Sequence, residues 1–217
     1  MSNQSFEILR AYFEGVDERE RSRDRHEQTT DVGVFVPCSL TYINVVLQKL
    51  IQDRVIDPTA IFLDAGSGDG RIVCLASGVY RIPSIGVEYD PEIATRSRRH
   101  IGRLRKLSLL DEIYPIIATG DFRRDETYEG LGINFGEIGT VFNFASNQRE
   151  IAHKIAMQSP EGTVFLLCDF NSYGEQFDGL RFQRTMEEVE EYIDVSDPEN
   201  PTKSTLFQNY HLHVYRK

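Results

Sequence analysis

Residues 61–71 read Ile-Phe-Leu-Asp-Ala-Gly-Ser-Gly-Asp-Gly-Arg, an apolar run that ends in an aspartate and a glycine-rich turn. A short apolar run bounded by turn residues predicts a strand buried in the middle of a parallel sheet. Gly66 and Gly68 permit a positive φ and leave no side chain between the backbone and a ligand. The apolar residues 72–76 then start a helix whose free N–H groups point back at the turn. We therefore predict half of a nucleotide-binding site here.

Acidic residues follow the next two predicted strands. Residues 84–88 predict a second buried strand ending in Glu88, whose carboxylate can accept both hydroxyls of a ribose. Residues 113–118 predict a third strand, with Asp121 and Phe122 just beyond its end. Two more strands are predicted over residues 140–144 and 163–168. This repeated alternation of strands and helices indicates an α/β fold.

The glycine turn, with the spacing GxGxG, resembles motif I of the class I, seven-strand, S-adenosylmethionine-dependent methyltransferases. The resemblance implies a three-layer, Rossmann-like α/β fold with a mostly parallel sheet, closed by a C-terminal antiparallel hairpin. The cofactor-binding residues that it implies are Asp64, Gly66, Ser67, Gly68, Glu88, Asp121 and Phe122. Among these the turn would hold the methionine and ribose side of S-adenosyl-L-methionine, Glu88 the ribose hydroxyls, and Asp121 with Phe122 the adenine. Binding of NAD is the alternative, because an NAD site also requires an acidic residue after the second strand.

The segment after the fourth predicted strand is where such enzymes select the methyl acceptor. Its Asn143-Phe144-Ala sequence is similar to that of the non-SET histone lysine methyltransferases. Phe-Val-Pro at residues 35–37, followed by Gly-Ser-Gly-Asp-Gly-Arg-Ile-Val at residues 66–73, is similar to small seven-strand protein lysine methyltransferases. The first of these resemblances implies Asn143 as the candidate catalytic residue, shaping the acceptor channel, with Phe144 as an apolar wall. The Asn/Asp-Pro-Pro-Tyr/Phe signature of enzymes acting on amide or base nitrogens is missing. A protein lysine is the leading acceptor, and a small-molecule O- or N-methyltransferase or a non-catalytic cofactor-binding module are the alternatives.

We expect the chain to form a single domain over residues 1–217. Residues 1–36 would form an N-terminal helix and a lid segment, in which Thr30 and Phe35 are candidates for contact with the cofactor; an ordinary connector is the alternative to a lid. Residues 37–170 would form the cofactor-binding core, which begins with a helix capped by Ser39. Residues 171–217 would form the substrate side and the closing hairpin.

Alternating apolar residues at positions 206–215 predict the final strand of this hairpin. Its antiparallel partner lies near residues 179–182 or near residues 189–193. Between them, an acidic helix over residues 187–191 and a turn at residues 198–201 are predicted. His211 and His213 fall on one face of the final strand, and such a pair is expected at the surface rather than at a metal.

Composition and charge restrict the partners. The formal net charge of −10 disfavours a protein that follows nucleic acid through phosphate contacts. No run approaches the roughly 20 apolar residues of a membrane span, and the first residues lack a signal-peptide core, so we expect a cytoplasmic protein. Cys38, Cys74 and Cys168 lack the spacing of metal ligands, and no metal is predicted. Oligomeric state stays open.

One segment departs from the acidic character of the chain. Between residues 96 and 106 there is no acidic residue, and the cations are Arg96, Arg98, Arg99, Arg103, Arg105 and Lys106, together with His100. A solvated helical face is the simpler interpretation, and a site for an acidic partner is the alternative.

Overall fold

The computed structural model describes residues 3–23, 28–30, 33–110, 113–144, 146–186 and 211–217. The strands are β1 Gln28–Thr30, β2 Gly33–Phe35, β3 Ile61–Ala65, β4 Ser84–Glu88, β5 Ile116–Thr119, β6 Ile138–Phe144, β7 Val164–Asp169, β8 Arg181–Met186 and β9 His211–Arg216. The helices are α1 Asn3–Arg21, α2 Leu40–Gln52, α3 Arg71–Gly78, α4 Pro91–Lys106, α5 Asp125–Glu129 and α6 Gln148–Gln158. In the described part of the chain no helix is long and apolar enough to cross a membrane.

Seven of the strands form one sheet in the order β5-β4-β3-β6-β7-β9-β8, and β1 with β2 forms a separate antiparallel hairpin. The five strands from β5 to β7 are parallel, while β9 runs antiparallel to β7 and β8. This confirms the predicted seven-strand, mostly parallel sheet with antiparallel strands at its C-terminal end. The strand order reverses between β3 and β6, so ligands are expected beyond the carboxyl ends of these two strands.

The sheet is covered by an apolar layer on each face. Phe62 and Leu63 are consecutive residues of β3, and they belong to opposite layers because side chains alternate along a strand. The layer around Phe62 includes buried residues of α1, α2, α3 and α4. The layer around Leu63 includes buried residues of α5 and α6. Together they give the three-layer arrangement that the sequence predicts.

The starts of helix α2 and strand β5 can be compared with the starts that the sequence predicts. The amide of Tyr42 donates to the hydroxyl of Ser39 at 3.3 Å, so Ser39 caps α2 as predicted. By contrast, β5 starts at Ile116, three residues after the predicted start at 113. Pro115 has no N–H to give to a ladder, and the pairing with β4 begins at Ile116 opposite Ile85.

The final strand is β9, and its partner β8 corresponds to the first of the two predicted alternatives, near residues 179–182. The predictions for residues 187–191, 189–193 and 198–201 lie outside the described residues. For His213 the expected surface position is wrong: its side chain is fully buried, because β9 lies between β7 and β8. Its ring nitrogens lie 2.9 Å from the hydroxyl of Thr185 and 2.9 Å from the carbonyl of Asn171.

Candidate functional site

The turn after β3 has the backbone conformation that its glycines predict. Gly66, Gly68 and Gly70 have φ values of +93°, +53° and +82°. The amides of Gly66 and Ser67 donate to the carbonyl of Val87 at 2.9 and 3.0 Å, which ties the turn to β4. Because residues with a side chain rarely adopt such φ values, the turn depends on glycine.

Glu88 reaches this turn from the end of β4. One carboxylate oxygen accepts from the amide of Gly68 at 2.8 Å, and the other accepts from the amide of Asp90 at 2.9 Å. Burial raises the pKa of Glu88. A carboxylate has about four acceptor positions, so two fixed backbone bonds orient Glu88 and leave capacity for two further donors.

Asp64, the last polar side chain of β3, is nearly fully buried beside the turn. Burial raises its pKa well above the usual value, and the nearby charges of Glu88 and Asp69 raise it further. No hydrogen bond from a described residue reaches this carboxylate. A buried carboxylate that has no donor among the described residues favours a cation beside it, because an uncompensated buried charge is costly.

A cavity of about 100 Å³ lies over the carboxyl ends of the strands. It is lined by the seven predicted cofactor-binding residues, which are Asp64, Gly66, Ser67, Gly68, Glu88, Asp121 and Phe122. The fold therefore brings together side chains that are spread over three predicted strand ends. In the described part of the chain, no cluster of His, Cys, Asp and Glu side chains could hold a metal ion.

Two aromatic rings flank the glycine turn. A Cβ atom at Gly68 would lie 2.4 Å from the ring of Phe35, and a Cβ atom at Gly66 would lie 3.9 Å from the ring of Phe122. Phe35 ends β2, in the segment that the sequence predicts to be a lid. Because ligand pockets usually enclose about 300–1,000 Å³, a nucleoside-sized ligand requires Phe35 to move from its place over Gly68.

Asp121 and Phe122 lie at the end of β5. Arg123 donates two hydrogen bonds of 2.8 Å to the two carboxylate oxygens of Asp121, and this lowers the pKa of Asp121. The carbonyl of Phe122 accepts from the hydroxyl of Tyr128 at 2.6 Å. Asp121 is therefore ionised and oriented by its neighbour, while Phe122 presents its ring to the cavity.

Asn143 does not line the cavity. Its side-chain amide is fully buried and donates to the carbonyls of Ala65 and Ser146 at 2.7 and 3.0 Å. Its Oδ1 atom accepts from the amide of Ser146 at 3.3 Å. Asn143 thus joins the end of β3 to the segment after β6, and the cavity is lined on that side by Phe144, Ser146 and Asn147.

The sequence did not reveal a buried ionic cluster around Arg71. Arg71 donates to Asp69 of the turn at 2.7 Å and to Asp17 of α1 at 2.6 Å. Burial alone would raise the pKa of Asp69, but Arg71 lowers it. The sequence signal that could have indicated this cluster is the position of Arg71, a charged residue directly after the glycine turn. Its partner in α1 lies 54 positions away, which local sequence patterns cannot connect.

Neither the protein-family profiles nor the curated proteins compared with the sequence gave a match. Solved structures do resemble the fold. An RNA methyltransferase from Salinibacter ruber in complex with S-adenosyl-L-homocysteine is 19% identical, with a TM-score of 0.53, covering 83% of this chain and 93% of that chain. A variant of MtNAS in complex with S-adenosylmethionine is 17% identical, with a TM-score of 0.55, covering 98% and 71%.

A third structure extends the comparison. An rRNA methylase from Streptococcus thermophilus is 11% identical to this chain, with a TM-score of 0.52, covering 80% of this chain and 96% of that chain. At these identities the likeness establishes the fold. The chain has the Rossmann-like fold that class I methyltransferases share.

Proposed function

We propose that this protein is an S-adenosylmethionine-dependent methyltransferase. The observation that carries the proposal is the cavity at the strand ends, where a left-handed glycine turn, the oriented Glu88 and the buried Asp64, which has no donor among the described residues, meet. A neutral or anionic ligand would bring no cation to this buried carboxylate. A ligand with a ribose and a cationic amino acid would satisfy both carboxylates.

The residues present fit this cofactor in three parts. Asp64 would pair with the positively charged methionine end, and Glu88 would accept from the ribose hydroxyls. Asp121 and Phe122 would contact the adenine, through a carboxylate and an aromatic ring. The cofactor would supply an activated methyl group, so the protein has only to bind it, align the acceptor and exclude water.

Asn143 acts in this proposal as a positioning residue. Its amide is fully used by the carbonyls of Ala65 and Ser146, so it fixes the segment after β6 instead of touching the acceptor. Phe144, the next residue, lines the cavity. Its ring packs edge to face on Phe170 with 5.7 Å between the ring centroids, and Phe170 is 52% exposed. These two rings form an aromatic wall from the cavity to the surface.

We infer that the acceptor is a lysine side chain of a protein. An aromatic wall suits the aliphatic stem of a lysine, and an apolar channel favours the neutral amine, which is the nucleophilic form. No general base is required when the amine has already lost its proton to water. Small-molecule acceptors stay the alternative, because Ser146 and Asn147 line the cavity beside Phe144 and could form hydrogen bonds with one.

Turnover tests this proposal. The purified protein is incubated with S-adenosylmethionine and proteins extracted from cells that lack methylation activity, and S-adenosylhomocysteine is measured. In the matched sample, the lysines of the same extract are first blocked by acetylation, which converts each amine into an amide that cannot accept a methyl group. We expect many turnovers with the untreated extract and almost none with the blocked one. Equal turnover with both would exclude lysine, and no turnover with protein or small-molecule acceptors would indicate a non-catalytic binding module.

Replacement of Glu88 by alanine is expected to weaken cofactor binding by about 1–3 kcal/mol, because two hydrogen bonds to the ribose are lost. Isothermal titration calorimetry with S-adenosylhomocysteine measures the change. Glu92→Ala is the control, since Glu92 is an exposed acid four residues further on that does not line the cavity. Equal affinity of wild type and Glu88→Ala would remove Glu88 from the site.

Replacement of Asp64 by asparagine is expected to stabilise the free protein while weakening its cofactor binding. The folded pKa of Asp64 is raised, so its contribution to the free energy of unfolding falls as the pH rises from the unfolded pKa, about 3.9, through the folded pKa. The stability gain of Asp64→Asn should therefore be larger at pH 7 than at pH 4. Urea denaturation measures this gain, and calorimetry should show affinity for S-adenosylmethionine reduced about tenfold or more. A variant that is less stable at pH 7 and binds normally would contradict this role.

A further inference from the structure

A second, larger depression lies outside the cofactor cavity, between the C-terminal half of α1, strand β1 and the exposed face of α4. This depression, which we call the arginine groove, has a volume of about 1120 Å³. Its cationic lining residues are Arg19, Arg23, Arg96, Arg99 and Arg103, against the acids Glu20 and Glu92. In a chain with a net charge of −10, this concentration of positive charge on two facing helices is a local exception.

Polar atoms in the groove lack partners among the described residues. His100 is 5% exposed and lines the groove, and its Nε2 atom makes no hydrogen bond with them. Its other ring nitrogen, Nδ1, lies 2.7 Å from the hydroxyl of Tyr12. Two buried nitrogens of the Arg96 guanidinium, Nε and Nη2, are also without a described partner. The third, Nη1, is 3.8 Å from Glu20. The buried N–H groups of Arg96 call for an acceptor, because an unsatisfied donor costs about 1–3 kcal/mol, and the Nε2 atom of His100 calls for a hydrogen-bond partner as well.

The groove adjoins the cofactor cavity. The guanidinium of Arg96 lies over the ring of Phe35, 5.1 Å from its centroid, and Phe35 in turn lies over Gly68. Thr29 lines the groove and its neighbour Thr30 lines the cavity, so β1 forms the wall between them. A ligand in the groove would thus contact the same segment that must move when the cofactor binds.

The lining favours an acidic peptide over a nucleic acid. The described residues that line the groove include no Phe, Tyr or Trp, so nucleobases lack the large rings on which single strands usually stack. Glu20 and Glu92 would repel the anionic groups of either ligand, but a peptide backbone has N–H groups that these carboxylates can accept from, whereas a phosphate backbone has none.

We propose that the arginine groove binds an acidic segment of the protein whose lysine is methylated. The guanidinium groups of Arg99 and Arg103 pair with carboxylates of that segment, and Arg96 with His100 donates at the buried end of the groove. This inference rests on the proposed function, since it assigns a docking surface for the acceptor of the same enzyme. It also gives the cationic face of α4 a role that a purely solvated face would not have.

Fluorescence anisotropy with a labelled decapeptide of alternating aspartate and glutamate tests the docking surface without requiring turnover. The test variant is the double charge reversal Arg99→Glu with Arg103→Glu. The matched control is Arg105→Glu with Lys106→Glu, which makes the same change of charge on exposed residues of α4 outside the groove. Circular dichroism verifies that both variants are folded, and binding of S-adenosylhomocysteine is measured in parallel.

We expect the groove variant to bind the acidic decapeptide at least about tenfold more weakly than wild type, and the control to stay within about twofold. If both variants bind the decapeptide equally weakly, the change in net charge alone explains the loss of affinity, and the proposal is overturned. A labelled oligouridylate that binds more tightly than the peptide, and loses affinity only in the groove variant, would also overturn it in favour of nucleic acid. If the wild-type protein does not bind S-adenosylhomocysteine, the proposed function is contradicted instead. The two failures can be distinguished because peptide binding is measured independently of cofactor binding.

Discussion

A valine at Gly66 is expected to reduce the affinity for S-adenosylmethionine by at least about 100-fold, or about 2.8 kcal/mol, while the protein stays folded. Gly66 has a φ of +93°, and its missing side chain leaves the backbone of the turn open to the cavity. A valine would place two methyl groups there, toward the ring of Phe122. Calorimetry measures the binding, and circular dichroism verifies the fold.

The control for this variant is Gly162→Val. Gly162 also has a φ of +93°, but no atom beyond its two neighbours in the chain lies within 4 Å of the position that its Cβ would take. It lies in the loop between α6 and β7, away from the cavity. Both variants carry a similar backbone strain of roughly 1–2 kcal/mol. Only the Gly66 variant should lose binding. Normal binding by Gly66→Val would contradict the close approach of the cofactor to the turn.

Replacement of Arg71 by alanine is expected to lower the free energy of unfolding by about 3–5 kcal/mol, because it leaves Asp69 buried without its cation. Asp69 is 3% exposed and Arg71 is 5% exposed, so water cannot replace the lost contacts. The guanidinium also joins α1 to the glycine turn through Asp17, and lies 5.0 Å from the ring centroid of Phe13. Urea denaturation followed by circular dichroism measures the change.

Two further variants keep this prediction testable if Arg71→Ala does not fold. Asp17→Asn removes the outer charge alone and is expected to cost about 1.5–3 kcal/mol. Arg149→Ala removes an arginine that is 79% exposed and pairs with Glu175, and its effect should stay within about 0.5 kcal/mol. A loss at Arg71 no larger than the loss at Arg149 would show that the buried cluster does not hold α1 to the core.

The cofactor side of the site was predictable because its signals are local. The strand, the glycine turn and the acidic residue after β4 are each defined within a few residues, and parallel strands bring their carboxyl ends to one edge. Tertiary partners were not predictable in this way. The role of Asn143 depends on the carbonyl of Ala65, which lies 78 positions earlier. The buried position of His213 depends on Thr185 of the neighbouring strand β8 and on the carbonyl of Asn171, both distant in the sequence.

The cationic face of α4 is a second feature whose surroundings could not be predicted from local sequence. The spacing of its arginines predicts which of them share a face, but it does not reveal that α1 and β1 form the opposite walls of a groove. A solvated face and a binding groove have the same sequence pattern. Packing between elements distant in the sequence decides between them.

Parallel calorimetric titration of the purified protein with S-adenosylmethionine, S-adenosylhomocysteine and NAD tests the central proposal most directly. We expect micromolar binding of the first two ligands and none of NAD, because the turn and Asp64 suit a cationic amino-acid nucleoside. Binding of NAD alone would contradict the proposal and indicate a nicotinamide enzyme on the same fold. Failure of all three ligands to bind would mean that the glycine turn does not serve this cofactor.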